Sequence, residues 1–197
     1  MSPQAYLKSV DPVLGAVIDL VRLPRRAHDG NYFKSLVAEI ISQQLSGRVA
    51  DVIEARFVAL FAPQAFPQPL DVLRMADAAL RNAGLSYAKI TYIKNISRAV
   101  SDGAIDFAHI DQLTDEEVIT LLTRVKGIGR WTAEMFLMFA MKRPDVFSYG
   151  DLGLRSAIKR LYRLRKHPSP RKARELSRRW IPYRTLASRY LWASLKP

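Results

Sequence analysis

Apolar residues recur along this chain at spacings of three and four. Tyr32, Phe33, Leu36, Val37, Ile40 and Ile41 form one stripe, and Val49, Val52, Ile53, Phe57 and Leu60 form the next. Ile90, Ile93, Ile96 and Val100 follow the same rule, then Val118, Ile119, Leu121, Leu122 and Val125, and later Leu152, Ile158 and Leu161. That period gathers the apolar side chains on one face of a helix. No segment alternates strictly for long enough to predict a strand. Breaks at Leu23-Pro24, Pro63 to Pro69, Gly84, Asp102-Gly103, Arg143-Pro144 and Pro168-Ser169-Pro170 divide the chain into about nine or ten short helices. The expected fold is all-α.

The 197 residues are enough for one large domain or two small lobes. The longest apolar run, Met135 to Met141, falls far short of the roughly 18–20 residues that cross a bilayer. Cysteine is absent, which excludes disulfides, thiolate metal sites and cysteine-ligated iron–sulfur clusters. The opening residues lack the basic-then-apolar layout of a signal peptide. The expectation is a cytoplasmic protein, nucleoid-associated in a bacterium, with no membrane partner.

Charge sharpens the picture. The net charge is +13, yet residues 1–154 carry equal numbers of acids and bases. From Arg155 onward Glu175 is the only acid, so the whole excess lies in the last 43 residues. Tyr162, Trp180, Tyr183, Tyr190 and Trp192 are interleaved with those cations and suggest a folded surface. Such a surface attracts a polyanion, with nucleic acid favoured over an anionic lipid contact or a merely solvated face.

Between two apolar helices stands Lys126-Gly127-Ile128-Gly129-Arg130-Trp131. Two glycines in three residues permit a sharp turn and a close approach of backbone N–H groups to something large. The helix N-terminus that follows supplies further donors and a partial positive charge. Lys126, Gly127, Gly129 and Arg130 therefore suit a phosphate. A plain connection between packed helices is the alternative. About twenty residues on, Gly150-Asp151-Leu152 opens another amphipathic helix. Asp151 is a natural N-cap; one helix and one return loop could also bring its carboxylate beside a bound strand. The two roles are compatible, because capping would fix the rotamer.

Val125 to Ala133 followed by Asp145-Val146-Phe147 and Asp151 resembles the helix-hairpin-helix/Gly-Pro-Asp superfamily of DNA glycosylases, and within it the 3-methyladenine DNA glycosylase II family. Ile40-Ile41-Ser42-Gln43-Gln44-Leu45-Ser46 resembles the family's wedge segment, and Trp180-Ile181-Pro182-Tyr183-Arg184 with Trp192 its C-terminal helix. The resemblance runs from about residue 30 to residue 195 and implies a two-lobed helical fold. Residues 27–141 would form a helical barrel lobe with the hairpin at about 125–130. Residues 1–26 and 142–197 would form the second lobe, with no N-terminal β-domain.

The resemblance also implies roles. Leu45, with Gln44, would be the wedge that fills the gap left by a flipped base; Leu45 as a core residue is the plain alternative. Asp151 would stabilise an oxocarbenium-like state or orient water. Trp131 and Trp192 would stack on the base, unless they are core residues. Met135 and Leu152 stand where longer relatives carry aromatics, which suggests a more open pocket. Trp131 also occupies the position of the Schiff-base lysine of lyase-type relatives, so a monofunctional enzyme is expected. Carbonyls of Thr123, Val125 and Ile128 would bind a sodium or potassium ion; no other cofactor is expected. The partner would be double-stranded DNA carrying 3-methyladenine, 7-methylguanine, 1-methyladenine or 3-methylcytosine, met by a monomer. His28, His109 and His167 receive no role, Glu134 is expected on a helix surface, and Arg22, Arg25 and Arg26 would add to the basic surface. Two alternatives stay open: a non-catalytic DNA-binding protein, and a same-fold glycosylase for another base.

Overall fold

The structure is a computed structural model that describes residues 1–24 and 30–195; Arg25, Arg26 and His28 lie outside the described residues. The helices are α1 (Pro3–Val10), α2 (Pro12–Leu20), α3 (Tyr32–Ser42), α4 (Gly47–Ala59), α5 (Pro69–Arg74) and α6 (Asp77–Asn82). They continue as α7 (Tyr87–Ser101), α8 (Asp115–Thr123), α9 (Arg130–Phe139), α10 (Leu152–Leu161), α11 (Pro170–Ser177) and α12 (Arg184–Ala193). There is no strand among the described residues. The twelve α-helices among the described residues exceed the nine or ten expected. One reason is Asp11-Pro12: the extended Asp11 ends α1, and its carboxylate at once caps α2 through Val13 and Leu14 N–H, both at 3.1 Å. Within the described residues, no helix is long and apolar enough to cross a membrane.

The chain divides into two compact units. One comprises Met1–Ala27 with Lys142–Pro197, the other His28–Met141. In the first, Leu7, Leu14, Phe147, Leu154, Ile158, Trp180, Tyr190 and Leu191 make the core. This corrects part of the surface reading of the basic C-terminal region: Trp180 is fully buried and Tyr190 nearly so. A buried indole N–H must find an acceptor, and Trp180 Nε1 donates to Asp11 Oδ2 at 2.9 Å. The Tyr162 hydroxyl donates to the same oxygen at 2.5 Å. Burial, and then this bond to Asp11, push the Tyr162 phenol far above its ordinary range.

In the second unit, α3 buries Phe33, Leu36, Val37, Ile40 and Ile41, and α7 buries Ile90, Ile93 and Ile96. The apolar stripe of α4 is rotated from its expected face. Ala50 and Phe57 are buried, whereas Val49 and Val52 are exposed. The small Ala50 side chain faces inward where a valine was expected.

Candidate nucleic-acid interface and carboxylate site

The hairpin is built in the second unit from α8, the turn and α9. Thr114 and Glu117 form a reciprocal capping box that starts α8. After Thr123 the chain turns through Val125 N–H to Leu122 O and Ile128 N–H to Val125 O, at 3.1 and 3.0 Å. Gly127 sits at φ +114°, where L side chains are strained, and any Cβ there would overlap the Tyr92 ring. Ile128 is buried and pins the turn, while Lys126 and Gly129 are exposed. Gly129 precedes α9 without any side-chain capping bond.

Arg130 does not simply face outward. Its guanidinium donates to Glu116 through Nη2 at 2.6 Å and Nη1 at 3.2 Å, and to Glu134 through Nε at 3.0 Å. These bonds, Glu116 foremost, raise its pKa above the ordinary arginine value. Glu134 is only 5% exposed, which corrects its expected place on a helix surface. A carboxylate can be buried there because Arg130 is its ion-pair partner.

One face of α7 backs this hairpin. Asn95 Nδ2 donates to Lys126 O at 3.1 Å, and Tyr92 lies against Gly127. One turn earlier, Lys89 Nζ donates to Ile41 O at 2.7 Å and so satisfies a carbonyl in the last turn of α3; burial lowers its pKa. The expected wedge follows directly. Gln43 ends α3 and reaches toward the hairpin, with Nε2 3.4 Å from Gly127 O and 3.3 Å from Thr132 Oγ1. Gln44 then adopts a left-handed conformation, φ 59°, and both it and Leu45 are exposed. At 37% exposure Leu45 is not a core residue. Lys89, Tyr92 and Asn95 were missed by sequence reasoning, and Gln43 stood in the wedge segment without a role of its own. Apolar periodicity marks the buried stripe of α7 and says nothing of the polar residues beside it.

Of the expected pocket residues in this unit, Trp131 is exposed and Met135 is not. Met135 is 3% exposed and packs with the buried residues of α9. A helix can show only part of its surface to solvent, and Trp131 has that share in the first turn of α9.

The first unit holds Asp151 and Trp192. Asp151 caps α10, accepting Leu154 N–H on Oδ1 at 2.6 Å. The same oxygen accepts Trp192 Nε1–H at 2.9 Å. Asp151 and Trp192 are partly exposed, and Leu152 projects outward at 62% exposure. The loop that delivers Asp151 is braced from α12. Arg184 grips Asp145 with Nε to Oδ1 at 2.7 Å and Nη2 to Oδ2 at 2.9 Å, and reaches the Tyr149 hydroxyl at 2.9 Å. The Asp145 bond raises the Arg184 pKa. Thr185 adds its N–H to Pro144 O at 3.0 Å and its hydroxyl to Arg143 O at 2.6 Å. The sequence motif contained both Asp145 and Arg184, but their pairing across 39 positions has no local signal.

Residues 37–183 match the model of the HhH-GPD superfamily base excision DNA repair proteins, and the chain belongs to that family. It is 36% identical over 165 residues to DNA-3-methyladenine glycosylase 1 of Schizosaccharomyces pombe, covering 83% of this chain and 72% of that protein. A putative DNA-3-methyladenine glycosylase of Bacillus subtilis, YfjP, is 32% identical over 173 residues; the match covers 85% of this chain and 60% of that relative. Among solved structures, the S. pombe 3-methyladenine DNA glycosylase Mag1 in complex with abasic DNA superposes with a TM-score of 0.89 at 33% identity. That match covers 98% of this chain and 95% of the other.

Proposed function

We propose that this protein is a monofunctional DNA glycosylase of base excision repair that removes alkylated bases and leaves an abasic site. The observation that carries this reading is the Asp151 carboxylate, partly exposed and held on Oδ1 by two N–H donors. A base inside a duplex stack is out of reach, so it must be flipped out. Leu45, presented with Gln44 on an exposed turn, fills the gap. Backbone N–H groups at Gly127 and Gly129, with Lys126, hold the phosphates near the lesion, and the uncapped start of α9 suits an anion. The turn carbonyls of Thr123, Val125 and Ile128 fit a sodium or potassium ion. Val125 O accepts the Ile128 N–H in the turn, a carbonyl oxygen has a second lone pair, and neutral oxygens suit a hard monovalent cation. When bound, such an ion would add positive charge beside the phosphate.

The chemistry needs one carboxylate. A 3- or 7-alkylated purine carries a positive charge, so breaking the bond to C1′ sends the electron pair to a base that leaves neutral. Water adds to C1′ and gives up a proton to solvent. Asp151 stabilises the positive sugar in between or orients that water. The exposed Trp131 ring suits stacking on a cationic base, where indole is the strongest cation–π partner, and Trp192 is the other indole assigned to base stacking. Where relatives carry an aromatic, Leu152 is aliphatic and outward-facing, which favours a broad substrate range: 3-methyladenine, 7-methylguanine, 1-methyladenine and 3-methylcytosine, acted on by a monomer.

The test is release of methylated bases from alkylated duplex DNA by wild type and by Asp151→Asn. Wild type should release them and the variant should be slower by ~10²-fold or more, with duplex binding nearly unchanged. Salt-sensitive duplex binding without any release would point instead to a non-catalytic DNA-binding protein.

A further inference from the structure

Gly153 occupies the first turn of α10, between the residues that hold Asp151. Its φ is not in the left-handed region, so the backbone does not require glycine there. Helix propensity argues against it, since alanine is the better helix former. Space explains it instead. A Cβ at Gly153 would lie 3.1 Å from Asp151 Oδ1, 3.1 Å from Trp192 Cδ1 and 3.2 Å from Trp192 Nε1. Those atoms are the acceptor and the donor side of a single hydrogen bond. Gly47, which also lies in a helix, would place a Cβ in open space.

We propose that Gly153 is a positioning residue for the reaction: lacking a side chain, it lets the edge of the Trp192 indole close on Asp151 and orient its carboxylate. The inference rests on the glycosylase reading above. Trp192 then has two functions, its N–H edge for the carboxylate and its ring face for the base. Leu154 N–H holds the carboxylate from the capped turn of its own helix. A second donor on the same oxygen, arriving from α12, fixes the plane. Any side chain at position 153 forces the indole to retreat by a few tenths of an ångström, which lengthens the 2.9 Å bond and releases the carboxylate. Reaction rates fall steeply with such displacements.

The experiment compares Gly153→Ala, Trp192→Phe and the double variant in single-turnover release from methylated duplex DNA. Gly153→Ala should slow release about ten-fold and bind duplex within about two-fold of wild type, with the helical circular dichroism of the folded protein retained. Trp192→Phe keeps an aromatic ring but drops the N–H, and should also slow release. In that background Gly153→Ala should change the rate by less than about two-fold, since the bond it disturbs is gone. A wild-type rate for Gly153→Ala, or effects that simply multiply, would overturn the inference. A readout independent of catalysis is the Trp192 indole N–H resonance, which should move in Gly153→Ala and in Asp151→Asn. A stationary resonance defeats the inference even if the enzyme is active. A moving resonance in a protein that releases no alkylated base defeats the glycosylase reading instead.

Discussion

Asp11 and Asp151 are the same device in two settings. Each caps a helix, and each accepts an indole N–H, from Trp180 and Trp192 respectively. Asp11 is 1% exposed and takes a tyrosine hydroxyl as well, whereas Asp151 is partly open to solvent. Replacing either by asparagine keeps a capping oxygen but puts an NH2 where an acceptor stood. At Asp11 that leaves buried donors facing a donor, and urea denaturation should show a loss of about 3 kcal/mol. At Asp151 the same change should cost under about 1 kcal/mol, because asparagine is an equally good N-cap and water reaches the site. Similar losses at the two positions would refute the distinction. The Asp151 cap was legible because glycine, aspartate and an apolar period stand together. The burial of Asp11 was not, because its partners Tyr162 and Trp180 lie more than 150 positions away. Glu134 was misread for a related reason: amphipathic patterns send carboxylates outward unless a cation is known to meet them.

At the scale of elements, α7 holds the hairpin through Tyr92 and Asn95 and the end of α3 through Lys89. The two hairpin glycines therefore have different functions. Gly127→Ala would meet the Tyr92 ring at φ +114° and should cost about 2 kcal/mol or more in a thermal melt. Gly129→Ala meets nothing and has an ordinary φ of −89°, so stability should hardly change. If a phosphate approaches that backbone closely, duplex affinity should nonetheless fall for Gly129→Ala, and a filter-binding titration would show it. The sequence made both glycines visible as a turn. It could not separate them, because the difference lies in which neighbour stands over each Cα. Helix positions fared better: the stripes of α3 and α7 are largely buried as periodicity predicts, while α4 is rotated and α10 turns Leu152 outward.

For the whole molecule, charge is the organising quantity, and not every cation contributes alike. Lys126 is exposed at the turn, while Arg130 is bound to Glu116 and Glu134. Lys126→Ala should reduce the slope of log K for duplex binding against log salt by about one. Arg130→Ala should leave that slope nearly unchanged and lower the melting temperature. Equal slope changes would mean that Arg130 exchanges its carboxylates for phosphate on binding. Sequence composition located the basic excess from Arg155 onward correctly, and could not tell a cation spent inward from one presented outward.

The Glu116–Arg130–Glu134 bridge has a consequence for the search along a genome. It ties α8 to α9 before any DNA is met, so the turn needs no ordering at each encounter. A repair protein passes over vast numbers of sound nucleotides for each damaged one, and any folding step on contact would slow every visit. With the arginine held internally, the phosphate grip proposed for this turn relies on backbone dipoles beside the single charge of Lys126, and dipoles are weaker and shorter in range than a full charge. Such a hold is quick to form and quick to release, which favours sliding over stalling.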